Sequence, residues 1–140
     1  DEVGEDAGEE DKPKTPWSAN EFDDSKWTTI KIREFWEMQG FSPYDGQAWY
    51  RLTYDPGVEA VEKTQYYLAF GAVAEEAEVF IEGKTKFESV YGDNIRHARF
   101  LVDVTEQVKS GKPFNIAVRV WNTGWCGGIW KSVKLVSKPK

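Results

Sequence analysis

The sequence predicts an all-β domain, a two-sheet antiparallel sandwich of about eight strands, and three observations carry that expectation. Period-two alternation of apolar residues recurs in short runs, turn residues bound those runs, and only one stretch has a helical pattern. The clearest run is 114–121, where Phe114, Ile116, Val118 and Val120 point one way and Asn115, Ala117 and Arg119 the other. The same alternation appears at Ala48, Tyr50, Leu52 and Tyr54, at Tyr66, Leu68 and Phe70, and over 79–81 and 100–104. Shorter candidates are 27–32, 84–88 and 130–136. Glu82 and Gly83 read as a two-residue hairpin turn between 79–81 and 84–88, because glycine accepts the positive φ that a tight turn demands.

The helical turn begins at Thr105 as N-cap, continues through Glu106 and Gln107, and stops where Gly111 offers a left-handed C-cap. No repeat of fixed period is present, which argues against a propeller or solenoid. The core between the sheets is expected to hold Tyr50, Leu52, Leu68, Phe70, Val79, Ile81, Phe100, Val102, Ile116, Val118 and Val120.

A chain of 140 residues accommodates one such core and not two. Residues 1–14 carry seven acidic side chains against two lysines, so nearly all of the net charge of −6 lies there. That segment is too poor in apolar residues to build a core and reads as a disordered acidic linker or tail, leaving 15–140 as the sandwich domain. The folded part is close to neutral. Lys and Arg are scattered and form no clustered basic face, so a nucleic-acid partner is not expected. No apolar run reaches the ~18 residues of a membrane span, and none at the N-terminus resembles a signal-peptide core. Cys126 is the single cysteine, which excludes an intrachain disulfide and a cysteine-based zinc cluster.

Read in order, several segments resemble the sugar-binding jelly-roll domain of glycoside hydrolase family 2 and its relatives with the galactose-binding-domain-like fold. Phe22-Asp23-Asp24-Ser25-Lys26-Trp27 is similar to the family's Phe-Asp-Asp-Ser-x-Trp turn, and Ala48-Trp49-Tyr50-Arg51 to the Trp-Tyr-Arg that opens an early core strand. Val79-Phe80-Ile81-Glu82-Gly83-Lys84 resembles a hairpin usually written Val-Tyr-Val-Asn-Gly-Lys, with Glu82 in place of Asn. Phe100-Leu101-Val102-Asp103-Val104-Thr105 followed by Gly111-Lys112 resembles Phe-x-x-Asp-Val-Thr and the turn after it. The segments 116–122 and 128–135 are similar to the paired final strands, although Trp125 and Cys126 interrupt what is usually a Gly-rich loop. The resemblance covers nearly everything after Trp17.

It implies a non-catalytic carbohydrate-binding module that targets a polysaccharide-active enzyme to its glycan, part of a larger multidomain protein, placed extracellularly or in the cell envelope. A structural domain that braces a catalytic barrel and a protein-binding adhesin sandwich are the alternatives. Catalytic carboxylates would belong to a separate barrel domain, for which this chain is too short. The residues agree with that. His97 is the only histidine and sits in a loop, Cys126 has no recognisable histidine partner, and Glu75, Glu76 and Glu78 read as a solvated edge, so no catalytic residue is assigned.

Binding is favoured by the aromatic content, seven Trp, six Tyr and eight Phe, more than one small core houses. A sugar needs a flat ring for its C–H face and fixed polar groups for its hydroxyls, and loops supply both. Three loops combine them. The first carries Trp36, Tyr44 and Asp45, the second Tyr91, Asn94 and Arg96, and the third Asn122 and Trp125. Trp125 and Tyr91 are the favoured platforms, with Asn94, Arg96 and Asn122 as hydroxyl-binding partners. No metal or cofactor is assigned. A structural calcium, which many relatives of this fold carry, is left open, with Asp23 and Asp24 or Asp93 and Asn94 as its oxygen donors.

Overall fold

A computed structural model of the chain describes residues 2–5, 15–40, 46–73, 76–89, 99–122 and 127–139. Among the described residues nine strands build two antiparallel sheets: β1 (Glu2–Glu5), β2 (Thr28–Thr29), β3 (Gly46–Tyr54), β4 (Thr64–Phe70), β5 (Glu76–Ile81), β6 (Lys84–Glu88), β7 (Phe100–Asp103), β8 (Phe114–Asn122) and β9 (Val133–Pro139). One sheet has six strands in the order β2-β1-β3-β8-β5-β6, and the other has three in the order β7-β4-β9. A single 3-10 turn, Trp36–Gln39, and one short helix, α1 (Thr105–Lys109), complete the described elements. No helix among the described residues is long and apolar enough to cross a membrane.

The sandwich follows from the alternation. Along β8, Phe114, Ile116, Val118 and Val120 enter the core, flanked by Ala48 and Tyr50 of β3 and by Ala77, Val79 and Ile81 of β5. Tyr66, Leu68 and Phe70 of β4 and Val102 of β7 face them from the three-stranded sheet. Phe100 is only half-buried, yet it is stacked between Phe70 at 4.8 Å and Phe87 at 4.0 Å. Leu52 departs from the expected core: it is 37% exposed. Three strands do not cover the whole inner face of six, and an apolar cleft opens into the interior, its lining including Ile32, Leu52, Ile116, Ile129 and Val133.

Three local expectations are revised. Within the segment 1–14, which composition marks as a disordered tail, Glu2–Glu5 is a strand, with Val3 opposite Tyr50 and Gly4 opposite Trp49. A strand paired between β2 and β3 is held by main-chain hydrogen bonds and needs no apolar composition. Residues 6–14 lie outside the described residues. The strand expected over 27–32 shortens to Thr28–Thr29, and Arg33 turns the chain away with φ 74°. Thr105 is the first residue of α1 and not its N-cap. The Asp103 carboxylate accepts the Thr105 N–H at 2.9 Å, which frees the Thr105 hydroxyl to accept the Tyr66 N–H at 2.9 Å and to stitch α1 to β4.

The hairpin after β5 turns through Glu82 and Gly83, both at positive φ (51° and 78°). Glu82, standing where the family pattern has Asn, accepts the Asn115 N–H at 2.8 Å and a hydrogen bond from the Asn20 side chain. The substitution keeps the turn tied to β8 and to the segment that covers the sheet.

Candidate functional site

Register places residues that anchor the three sequence-predicted loops at one end of the six-stranded sheet. Gly46, where β3 begins, is opposite Asn122, where β8 ends, and Glu76, where β5 begins, is opposite Trp121. Ser89, just after β6, is bonded through its N–H to the Ala77 carbonyl at 2.9 Å. In the other sheet Phe70, Phe100 and Val133 are register partners at the corresponding end of β4, β7 and β9. The connections that carry Tyr44 and Asp45, Tyr91, Asn94 and Arg96, and Trp125 are therefore anchored within a few residues of one another. Those six residues themselves lie outside the described residues, as do His97, Cys126, Asp93 and Glu75.

Two of the predicted site residues are described, and neither is on the surface. Trp36 is 1% exposed and Asn122 is fully buried. The Trp36 N–H donates to the Gly127 carbonyl at 3.0 Å, and its indole lies so close to Gly127 that a Cβ there would stand 2.2 Å from the ring. Trp36 is thus a plug beneath the loop end and presents no open ring face. Asn122 is interior at the end of β8, a position suited to holding chain rather than ligand. Neighbouring backbone is ordered by Tyr50, whose hydroxyl accepts the Ile129 N–H at 3.3 Å. Beside it Phe35 and Trp130 stack at 5.3 Å, with the Lys131 ammonium 4.8 Å from the Trp130 ring.

The candidate calcium donors Asp23 and Asp24 are already engaged. Asp23 accepts the Ser25 N–H at 3.0 Å. Hydrogen bonds from the Ser25 side chain and backbone hold its carboxyl below the ordinary value of 3.8. Asp24 pairs with Arg51 at 2.9 Å. Among the described residues no three His, Cys, Asp or Glu side chains gather as a metal site would require.

The outer face of the six-stranded sheet has a different character at its two ends. Toward the β5–β6 hairpin it is sealed. Arg51 reaches out of β3 to Asp24 and to the carbonyls of Trp17 and Ala19, so that residues 17–24 lie across the sheet. Trp17 meets Trp49 and Trp27 edge-on at 6.1 Å, and Trp49 stacks on Phe80 at 5.4 Å over the small side chain of Ala117. Toward the loop end the next two cross-strand rows are polar and aromatic. One is Trp49, Arg119 and Glu78; the other is Gln47, Trp121 and Glu76. Arg119 pairs with Glu78 at 3.5 Å, and Thr85 donates to the second Glu78 oxygen at 2.8 Å. Trp121 is not among the sequence-predicted site residues, although the alternation along β8, continued past Arg119, puts it on the outer face.

No protein-family model matches the chain, and the comparison with curated proteins finds no match. Solved structures do match in fold. A β-glucuronidase of Bacteroides uniformis aligns with 99% of this chain at 23% identity and TM-score 0.72, over 17% of its own length. A glycosyl hydrolase family 2 member from Bacteroides cellulosilyticus aligns with 99% at 20% identity and TM-score 0.73, over 20% of its length. A β-glycosidase from Bacteroides vulgatus aligns with 99% at 23% identity and TM-score 0.69, over 19% of its length. The chain shares its β-sandwich fold with a portion of each of these enzymes. It spans about a fifth or less of the length of the enzymes it is similar to.

Proposed function

We propose that this chain is a non-catalytic carbohydrate-binding domain of a larger glycoside hydrolase, working outside the cell or in its envelope, and that it holds the enzyme near its glycan. The observation that supports this best is that the residues anchoring the three aromatic- and amide-rich loops lie together at one end of the two sheets. Tethering converts capture of a second site into an intramolecular event, so a weak contact suffices to raise the local substrate concentration. Trp125 and Tyr91 are the proposed platforms, with Tyr44, Asp45, Asn94 and Arg96 binding hydroxyls; Trp36 and Asn122 support the loops from beneath.

Glycan-array screening followed by calorimetric titration of the purified chain tests the reading. Trp125→Ala should weaken binding of the identified glycan by roughly 1–3 kcal/mol, the range for losing an aromatic anchor, without lowering the melting temperature. A chain that binds no glycan would overturn the proposal.

One observation favours a second reading, a domain that braces a catalytic barrel. On the outer face of the three-stranded sheet Leu101 is 56% and Val136 37% exposed, lying opposite Ala69 and Tyr67 of β4. Lys134 and Asp103 complete the same two rows, and a mixed apolar and charged face of this kind suits the surface of a neighbouring domain. The two readings are compatible, because they use different faces.

A further inference from the structure

The tryptophans of the described residues divide into those that are buried or in contact with another ring and one that is neither. Trp36 is buried; Trp17, Trp27 and Trp49 form a mutual edge-on and stacked cluster; Trp130 stacks on Phe35. Trp121 is half-buried on the outer face of β8 and has no aromatic ring or cation against it among the described residues. It is flanked by Gln47 on β3 and by Glu76 on β5, each directly across a ladder. Residues so paired share a face, with Cβ atoms ~5 Å apart. The ring is therefore bordered by an amide and a carboxylate.

Glu76 supplies an independent sign that the row is incomplete. Its Oε1 is inaccessible to solvent and has no hydrogen-bond partner. A buried carboxylate oxygen without a donor is unfavourable, and the terminal Glu torsion is soft enough to swing the group toward a donor placed over the neighbouring ring. The adjoining Glu78 cannot serve, since Arg119 and Thr85 occupy both of its oxygens.

We infer that Trp121, with Gln47 and Glu76, forms a glycan-binding face on the outer surface of the six-stranded sheet, selective for neutral sugars over uronic acids. The inference rests on the reading that the domain binds carbohydrate, and it adds a contact on the sheet beside the one proposed on the loops. The indole receives the C–H face of a pyranose, and the flanking carboxylate and amide take its hydroxyls. Selectivity follows from charge. The rows around Trp121 bring Glu76, Glu78 and Glu88 together against one guanidinium, Arg119, which is already paired with Glu78. A uronate carboxylate would meet like charge, with no free cation on these rows among the described residues. The patch adjoins the loop end through Gly46 and Asn122, so a glycan chain lying on it would run toward the proposed loop site.

The test is titration of the full chain with neutral β-linked gluco- and galacto-oligosaccharides and with oligogalacturonate of equal length, comparing the parent with Trp121→Ala, Trp121→Phe and Glu76→Gln. For a neutral glycan that binds, Trp121→Ala should weaken affinity more than about tenfold, and Trp121→Phe should retain most of it, which guards against a folding artefact. Oligogalacturonate should bind at least about tenfold more weakly than its neutral counterpart, and Glu76→Gln should narrow that gap. If a neutral glycan binds the parent and Trp121→Ala alike while Trp125→Ala abolishes binding, the domain reading stands and the sheet-face site is wrong. Equal or tighter binding of the uronate overturns the selectivity. A parent chain that binds none of these sugars removes both this inference and the proposed function.

Discussion

Replacing Arg51 should unseat the segment that covers half of the six-stranded sheet. The guanidinium side chain is 6% exposed and pairs with Asp24, itself 33% exposed, at 2.9 Å. It also donates to the carbonyls of Trp17 at 2.5 Å, Ala19 at 3.0 Å and Phe22 at 3.5 Å, and lies 5.4 Å from the centre of the Phe22 ring. Removing one partner of a buried ion pair costs about 3–5 kcal/mol. Water can reach Asp24 and the turn carbonyls once the guanidinium is gone, so Arg51→Ala should fall near the lower bound, about 3 kcal/mol. That is a large part of the ~5–15 kcal/mol that holds a domain of this kind folded. Arg51→Lys should recover only about 1 kcal/mol, because one ammonium cannot serve acceptors spread around a planar fork. Urea unfolding followed by tryptophan fluorescence measures this directly, since Trp17, Trp27 and Trp49 report on the covered face. A loss below about 1 kcal/mol for Arg51→Ala, or no coupling between Arg51→Ala and Asp24→Asn in a double-mutant cycle, would show that the covering segment is held by something else.

Two further outcomes follow from local geometry. Gly127→Ala places a methyl group 2.2 Å from the Trp36 ring and should destabilise the domain by roughly 1–3 kcal/mol, read as a lower thermal midpoint; an unchanged midpoint would mean that Trp36 is not packed as described. Asp23 should titrate below 3.8 by carboxyl-resolved NMR, chiefly because of the Ser25 side chain and then the Ser25 backbone N–H. A carboxyl lowered in the folded state contributes stability above its unfolded value, and that contribution is lost as pH falls through the lowered one. Ser25→Ala should move the Asp23 midpoint upward, and an unmoved midpoint would discard the assigned cause.

What the sequence revealed, and what it concealed, depends on whether a feature is local in the chain. The alternation along β8 placed Phe114, Ile116, Val118 and Val120 in the core because each strand residue's side is fixed by its neighbours two away. Alternation says which side a residue faces, however, and not whether anything stands opposite. Leu52 faces inward like Tyr50 and is still 37% exposed at the open cleft. The turn motif at 22–27 and the Trp-Tyr-Arg of β3 were each legible, but the reason they occur together, the Asp24–Arg51 pair across 27 residues of sequence, needed the fold. Glu2–Glu5 was hidden because composition predicts which side chains can be buried, whereas β1 is recruited through its backbone. Sequence places Trp36 among the site aromatics because an aromatic in a loop and an aromatic under a loop have the same local sequence, and only the fold shows it buried. The converse holds for Trp121: a tryptophan at the end of a core strand looks structural until its cross-strand neighbours are known to be Gln47 and Glu76.

Glu76 offers the sharpest separation between a residue kept for the fold and one kept for a ligand. A carboxylate that served the scaffold would show a donor at each buried oxygen, as Glu78 does with Arg119 and Thr85. Glu76 Oε1 has none. Burying a charge without a partner is costlier than burying an amide of the same shape, so Glu76→Gln should leave the free domain as stable as the parent or more so, by up to about 1 kcal/mol, the low end for an unsatisfied group because a single oxygen is affected. The same substitution should weaken binding of a neutral glycan, since an amide is a poorer acceptor for sugar hydroxyls than a carboxylate. Opposite signs in the two measurements, a urea midpoint unchanged or raised and an affinity lowered, are the signature of a site that trades stability for binding. Loss of more than about 1 kcal/mol in Glu76→Gln would mean that the carboxylate supports the β5–β8 ladder after all, and Trp121 would then be left with a structural neighbour in place of a hydroxyl-binding one.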